Sequence, residues 1–153
     1  MIEPVSITDP TRLESVEALL HDQTLDLHGL RHQKDNGVLE IPLLIDDDSG
    51  LELISNSWCR RLYKLPLRRG VLRIGHVVTY RVDDRGQIGR YTFLRMKWAP
   101  VDSILSIVAI EDMEIHVTVS AMDLKINVSG EIVGHRDVTM MFGFIHWYGP
   151  PRT

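Results

Sequence analysis

Residues 58–73 contain the chain's densest group of side chains able to bind an anion. Trp58 and Tyr63 are interspersed with six bases: Arg60, Arg61, Lys64, Arg68, Arg69 and Arg73. Guanidinium groups donate paired hydrogen bonds to phosphate oxygens, and aromatic faces stack on nucleobases. The pattern predicts an anion site that would take a nucleotide or a nucleic acid. The alternative is a solvated basic segment that balances acidic residues elsewhere in the chain.

The charged residues are unevenly distributed along the sequence. Residues 1–52 contain 12 acids and 3 bases, whereas residues 53–82 contain 7 bases and no acid, in a chain of net charge −4. The negative total argues against general binding of polyanions. Facing patches of opposite sign would favour self-association, and the alternative is that folding interleaves the two segments.

A second candidate site is formed by His76 and three aromatic residues, Tyr80, Tyr91 and Trp98. His76 falls in the apolar row of a predicted strand, where an imidazole can act as a tuned acid or base inside a cavity. The aromatic side chains would supply the walls of that cavity, which predicts a small-ligand site. The alternative is a core histidine that is hydrogen-bonded to the backbone.

The C-terminal part of the chain contains an apolar stretch rich in aromatic residues and methionine. Its candidate interface residues are Met140, Phe142, Phe144 and Trp147. These residue types are enriched at protein interfaces, and an exposed strand edge readily pairs with another strand. We therefore expect a homo-oligomer, with a different protein partner as a further option. Ordinary core packing is the alternative.

The densest group of potential metal ligands does not form a metal motif. It comprises His21, Asp22, Asp26, His28 and His32. In a strand His28 and His32 would be about 13 Å apart, from a rise of about 3.3 Å per residue, which is too far to share one zinc ion. The sequence also contains no nucleophile elbow, phosphate-binding loop or dinucleotide-binding motif. We predict no metal, no cofactor and no catalytic residue.

The elements that position these residues are mainly strands. Residues 71–82 and 87–98 alternate apolar and polar positions on either side of a turn at 83–86, which predicts a long β-hairpin. Asn36-Gly37 between two apolar runs predicts another hairpin. Asp9-Pro10 suits a helix start, and the apolar stripe that follows predicts a helix over residues 10–21. Residues 138–148 are predicted as one strand, and residues 58–65 as a short helical turn.

These elements amount to about eight or nine strands with one N-terminal helix. The fold class predicted is mainly β (α+β), an antiparallel β-sandwich or open barrel. At 153 residues the chain suits a single domain over residues 1–153. Cys59 is the single cysteine, no apolar run approaches the roughly 20 residues that span a bilayer, and no secretory leader is visible, so we expect a cytoplasmic protein without membrane contact.

Taken together, these features favour a non-catalytic binding or interaction module that self-associates. The alternative is a small-ligand-binding β scaffold, or an enzyme, with a cavity near His76. A nucleotide or nucleic-acid binder acting through residues 58–73 is the third hypothesis.

Overall fold

A computed structural model describes residues 3–153, and strands dominate this part of the chain. The strands are β1 Val5–Ile7, β2 Thr24–Asp26, β3 Arg31–Gln33, β4 Val38–Asp46, β5 Glu52–Asn56, β6 Arg60–Ile74, β7 Val77–Asp84, β8 Arg90–Ala99, β9 Ile104–Ala109, β10 Met113–Val119, β11 Leu124–Met141 and β12 Ile145–Tyr148. The α-helix, α1, spans Leu13–Leu20, and 3-10 turns span Pro10–Arg12, Leu27–Gly29, Lys34–Asn36 and Asp48–Gly50. None of the described helices is long and apolar enough to cross a membrane.

The strands form one open antiparallel sheet with, in the part of the chain that the structure describes, a single α-helix near the N-terminus, which confirms the predicted mainly β class. Hydrogen-bonded neighbours follow the order β1-β11-β6-β4-β2-β8-β9-β10-β7, while β12 pairs with β11, β3 with β4 and β5 with β6. Within the described residues there are twelve strands, more than the eight or nine predicted. The difference arises partly because β1, β2 and β3 have three residues each, too few to show alternation.

The predicted long hairpin of residues 71–98 is wrong. β7 and β8 are not neighbours, because β9 and β10 lie between them in the sheet. The first predicted strand is also interrupted: β6 ends at Ile74, and His76 has a φ of 53° before β7 begins at Val77. Sequence alternation identified strand-forming residues here, but it contains no information on which strands pair.

Two further local predictions are corrected. Residues 138–148 are not one strand, because Phe142 and Gly143 take φ values of 54° and 78° and reverse the chain between β11 and β12. Residues 58–65 are not helical, since β6 begins at Arg60 and pairs with β5. In contrast, the Asn36-Gly37 hairpin is confirmed: β3 pairs antiparallel with β4, and Gly37 adopts the left-handed φ of 61° that the turn requires.

The N-terminal helix is confirmed within residues 10–21. The Asp9 side chain accepts a hydrogen bond from the Thr11 N–H, which caps the first turn. Val16 and Leu20 are buried, and Glu17 Oε1 accepts a hydrogen bond from the Met96 N–H of β8 at 2.6 Å. The hydrogen bond from Met96 to Glu17 therefore links the helix to β8.

The chain divides into two compact units. Unit 1 comprises the described residues up to Leu43 together with Gly70–Val128, and unit 2 comprises Leu44–Arg69 and Ser129–Thr153. Strands β4, β6 and β11 each continue from one unit into the other. A single domain over residues 1–153 stays a prediction.

Apolar burial is concentrated in unit 1. Of the 30 buried apolar side chains in the described part of the chain, only Leu44, Ile45, Leu65, Leu67 and Val138 belong to unit 2. Unit 2 instead contains a buried ion pair, in which Arg136 Nε lies 3.1 Å from Asp46 Oδ1. The Arg136 side chain is only 9% exposed, so this charge depends on its partner to offset the lost hydration.

Replacing Arg136 with methionine should destabilise the protein by about 3–5 kcal/mol, because it removes the guanidinium from beside a half-buried carboxylate. Unfolding by guanidinium chloride, followed by tryptophan fluorescence, measures the change in the free energy of unfolding, since Trp58 and Trp147 both lie in unit 2. The double variant Asp46→Leu/Arg136→Met should recover much of the loss.

The matched control is Arg152→Met, which breaks the more exposed 3.1 Å pair with Asp137 and should cost less than about 1 kcal/mol. Equal losses in Arg136→Met and Arg152→Met would contradict a stabilising role for the buried pair.

Candidate functional site

The four predicted interface residues lie together in unit 2. Met140 lies in β11 one residue before its end, Phe142 and Phe144 belong to the turn, and Trp147 lies in β12. We call residues 138–148 the aromatic hairpin. Phe144 is 75% exposed and Trp147 61% exposed, so their side chains are not part of a core.

Strand β12 of this hairpin is exposed on both of its faces. β11 and β12 pair antiparallel, with Thr139 opposite Trp147 and Met140 opposite His146. All four residues of β12 are exposed, although side chains alternate between the two faces of a strand. The hairpin therefore presents apolar side chains to solvent on both faces.

A second hairpin contacts the tip of the aromatic hairpin. The turn between β5 and β6 is closed by the Ser57 N–H, which donates to the Arg60 carbonyl oxygen at 2.8 Å. The Cys59 carbonyl oxygen accepts a hydrogen bond of 2.8 Å from the Phe142 N–H. The rings of Trp58 and Phe142 meet edge to face with centroids 6.4 Å apart. The two turns are thereby held side by side.

A cavity of about 440 Å³ lies between these turns. It is lined by Ser57, Trp58, Cys59, Arg60, Arg61, Met140, Phe142 and Gly143. Trp58 is 92% exposed, and nothing in the sequence places it beside the C-terminal residues. The sequence shows only that Trp58 precedes two arginines by two residues. A contact between two turns that are more than 80 residues apart leaves no pattern in the local sequence.

The residues of the predicted anion site are spread along one extended strand. Arg73 belongs to unit 1, and the other five bases belong to unit 2. Between Arg60 and Arg69 the strand extends about 30 Å, at about 3.3 Å per residue. These bases therefore do not converge on one small anion.

Several of these bases already have partners within unit 2. Arg68 Nη2 lies 2.8 Å from Asp47 Oδ2, and Arg68 Nη1 donates to the Gly130 carbonyl oxygen at 2.7 Å. Arg69 Nε lies 3.9 Å from Glu131 Oε2. For Arg60 and Arg61 no ion pair is present within residues 3–153. The acidic N-terminal third and the basic segment are thus interleaved at Asp47 and Arg68.

The predicted ligand residues near His76 are not all brought together. Tyr80 is in β7, whereas Tyr91 and Trp98 are in β8, with two strands between them. His76 is exposed in a turn, and its carbonyl oxygen accepts a hydrogen bond from the Ser120 N–H at 2.9 Å. The predicted placement of His76 in an apolar strand row is wrong because the chain turns at that residue.

Of these four residues, Tyr91 has the most constrained surroundings. Its hydroxyl oxygen accepts hydrogen bonds from the N–H groups of Ile88 and Gly89 at 3.1 and 3.3 Å. Burial raises the pKa of the Tyr91 phenol above its ordinary value of 10.0. These contacts order the loop that precedes β8. Trp98 is half-buried in β8, opposite Leu105 of β9.

Tyr80 instead lies beside His32, whose sequence context suggested only a potential metal ligand. The two rings meet edge to face with centroids 5.2 Å apart. Both residues line a cleft of about 750 Å³ in unit 1. As for metal binding, no group of three or more His, Cys, Asp or Glu side chains suited to a metal ion occurs in the part of the chain that the structure describes.

A polar network that the sequence analysis missed crosses β7, β9 and β10. Ser106 Oγ lies 2.9 Å from His116 Nδ1, and His116 Nε2 lies 3.3 Å from Asp83 Oδ2 and 3.4 Å from Glu114 Oε2. This order of hydroxyl, imidazole and carboxylate is the one that activates serine nucleophiles, but such activity also needs oxyanion donors and a substrate cavity. Both Asp83 and Glu114 are substantially exposed, and we assign the network to cross-strand stabilisation.

Comparisons with known proteins provide no family for this chain. No protein-family model matches it, and neither the curated proteins nor the solved structures include a significant match. The functional inference therefore depends on the residues and the geometry described above.

The contacts of Asp47 predict a pH dependence. A 2.6 Å hydrogen bond from the Ser49 hydroxyl, and then the Arg68 guanidinium, hold the pKa of the Asp47 carboxyl below its ordinary value of 3.8. A lowered folded-state pKa stabilises the protein above pH 3.8, and this contribution is lost as the pH falls through the folded-state value. Asp47→Asn should therefore destabilise the protein by about 1–2 kcal/mol at pH 6.

This difference between wild type and Asp47→Asn should shrink as the pH is lowered from 5 to 2, and urea unfolding at several pH values measures it. The control is Asp48→Asn, a change at the exposed neighbouring residue that should not reproduce the pattern. A difference that stays constant down to pH 2 would contradict the assignment to the Asp47 carboxylate.

Proposed function

We propose that this protein is a non-catalytic, cytoplasmic interaction module that assembles with further copies of itself through unit 2. The observation that carries the proposal is the concentration of exposed apolar side chains. Among the described residues, 15 large apolar side chains are exposed, and ten of them belong to unit 2. They are Leu51, Leu53, Ile54, Trp58, Ile132, Phe142, Phe144, Ile145, Trp147 and Tyr148. Single exposed apolar residues are common on proteins, whereas contiguous apolar patches are typical of interaction sites, and the enrichment in unit 2 supports the proposal on that ground.

The edge strand β12 supports strand pairing as the mode of association. β12 lies off the main order of the sheet and pairs with β11. Proteins commonly protect such edges with charged side chains or proline within the strand. Residues 138–151 contain no Asp, Glu, Lys or Arg, so β12 has no such protection.

The absence of Asp, Glu, Lys and Arg from β12 also favours a second copy of this chain as the partner. In a twofold-symmetric dimer, the same surface of each copy meets itself, so any charge near the axis would face a like charge. The uncharged β12 avoids this repulsion. Antiparallel pairing of two β12 strands would also bring Trp147 of each copy close to its equivalent, and aromatic cross-strand pairs stabilise sheets.

The fixed geometry of the two turns supports the proposal further. The Phe142 N–H to Cys59 hydrogen bond and the Trp58–Phe142 ring contact hold the exposed aromatic residues in one arrangement. Preorganised side chains lose less conformational entropy on binding. Arg60 and Arg61 flank this surface, and arginine is enriched at interfaces together with aromatic residues.

The proposed cytoplasmic setting rests on cysteine usage. Cys59 is free and half-buried, and a chain with one cysteine cannot form an internal disulfide. A nucleic-acid function has weaker support because Arg68 and Arg69 face acidic partners in unit 2. A small-ligand function is favoured by a separate observation, the cleft beside His32 and Tyr80 in unit 1.

Sedimentation velocity and light scattering over a range of protein concentrations test the proposal. The wild type should form a dimer or larger assembly, and Phe144→Lys or Trp147→Lys should raise the dissociation constant at least about tenfold because a charge enters an apolar interface. Met140→Lys should act in the same direction.

The matched control is Val101→Lys, at a side chain that is 94% exposed in unit 1 and should leave the association unchanged. A wild type that remains monomeric at its highest soluble concentration would overturn the proposal. So would Phe144→Lys and Trp147→Lys variants that associate as the wild type does.

A further inference from the structure

The cavity between the two turns of unit 2 is open to solvent and positively charged. Arg60 and Arg61 line it, and both residues are exposed. No aspartate or glutamate is among its described lining residues, and the residue opposite Arg61 in β5 is the neutral Asn56. At Gly143, which also lines the cavity, a Cβ atom would meet no described atom within 4 Å. An anion can therefore approach these two arginines, whose charge no residue of the lining offsets.

An accessible aromatic surface lies beside the two arginines. The rings of Trp58 and Phe142 both line the cavity and meet at an interplanar angle of 67°. This contact leaves the Trp58 side chain 92% exposed, so the indole is available to a ligand. Aromatic side chains stack on any nucleobase, because every base has a π face.

The backbone of Phe142 is strained in a way that keeps this surface in place. Its φ of 54° lies in the left-handed region, which bulky side chains rarely adopt. The hydrogen bond from the Phe142 N–H to the Cys59 carbonyl oxygen holds that conformation at the junction of the two turns. Strained residues of this kind cluster at ligand-binding sites and switch regions. The strain at Phe142 is thus explained if the paired rings serve a ligand.

The groups in this cavity select for a phosphate attached to an aromatic ring system. Guanidinium groups donate paired hydrogen bonds to phosphate oxygens. Two adjacent arginines match a phosphate monoester, which has a charge of about −1.5 to −2 at neutral pH, better than a carboxylate with a single charge. The volume of about 440 Å³ is in the range of small-molecule sites. A nucleoside phosphate combines both features in one ligand.

We propose that the cavity between the two turns binds a nucleoside phosphate, with the phosphate at Arg60 and Arg61 and the base stacked on Trp58. The same chemistry occurs in a free nucleotide and at the terminal phosphate of a single-stranded nucleic acid. The site shares Trp58 and Phe142 with the proposed self-association surface but uses no residue of β12. Ligand binding and association are separate measurements on the same protein, so the failure of one proposal is distinguishable from the failure of the other.

Isothermal titration calorimetry of the full-length protein tests this proposal. The probes are adenosine monophosphate, adenosine and inorganic phosphate, each up to about 10 mM, which reaches the millimolar affinity range. Adenosine monophosphate should bind saturably. Adenosine and inorganic phosphate should each bind at least about tenfold more weakly, because each supplies only one of the two contacts.

A single strand of hexaadenylate with a terminal phosphate distinguishes the two sources of the ligand. Tighter binding of this strand than of adenosine monophosphate identifies a single-stranded nucleic acid as the ligand. Equal or weaker binding identifies a free nucleotide. Sedimentation velocity on the same samples reports the association state independently.

Variants locate the binding site. Arg60→Gln and Arg61→Gln should each weaken binding of adenosine monophosphate about threefold to tenfold. Trp58→Ala should weaken it at least about fivefold, whereas Trp58→Phe should retain most of the affinity because a stacking ring remains. The matched control is Arg95→Gln, at an exposed residue of β8 in unit 1, which should leave the affinity unchanged.

Three results would overturn the proposal. They are the absence of saturable binding of both adenosine monophosphate and hexaadenylate, binding of adenosine as tight as that of its monophosphate, and Arg60→Gln and Arg61→Gln variants that bind as the wild type does. The first two come from the wild type alone, so the test does not depend on the folding of any variant.

Discussion

Apolar burial imposes the main constraint on this structure. Among residues 3–153, 25 of the 30 buried apolar side chains belong to unit 1 and five to unit 2, and strands β4, β6 and β11 extend from the first unit into the second. Burial of apolar surface is the dominant favourable contribution to folding. Because unit 2 has few buried apolar side chains, its own core supplies little of this stabilisation. The apolar side chains that unit 2 does contain are mostly on its surface. A protein with this distribution gains stability when another molecule covers that surface.

Polar contacts compensate in part for the small core of unit 2. Arg136 is paired with Asp46, and Arg68 connects Asp47 to the Gly130 carbonyl oxygen. Ion pairs of this kind specify a geometry, but the cost of removing charges from water limits how much they stabilise it. Their contribution here is to hold β4, β6 and β11 in register, which in turn presents the aromatic hairpin in a defined arrangement.

Local features of the fold were predictable from sequence, and pairing between distant segments was not. Asp9 before Pro10 identified the helix start, and Asn36-Gly37 identified a hairpin, because capping and left-handed turns depend on adjacent residues. The separation of β7 from β8 was not predictable, since alternation is the same whichever strand is the neighbour. The same limit applies to the site: the aromatic and methionine-rich composition of residues 138–148 singled out this segment, but the turn at Phe142 and the contact with Trp58 depend on tertiary structure.

Hydrogen exchange at β12 tests the central claim most directly. The amides of Ile145–Tyr148 that face away from β11 should exchange slowly at high protein concentration and faster on dilution, because pairing with a second copy protects them. Amides in β9, inside the sheet of unit 1, should exchange at rates that do not depend on concentration. Exchange at β12 that is equally fast at every concentration would contradict strand pairing through this edge.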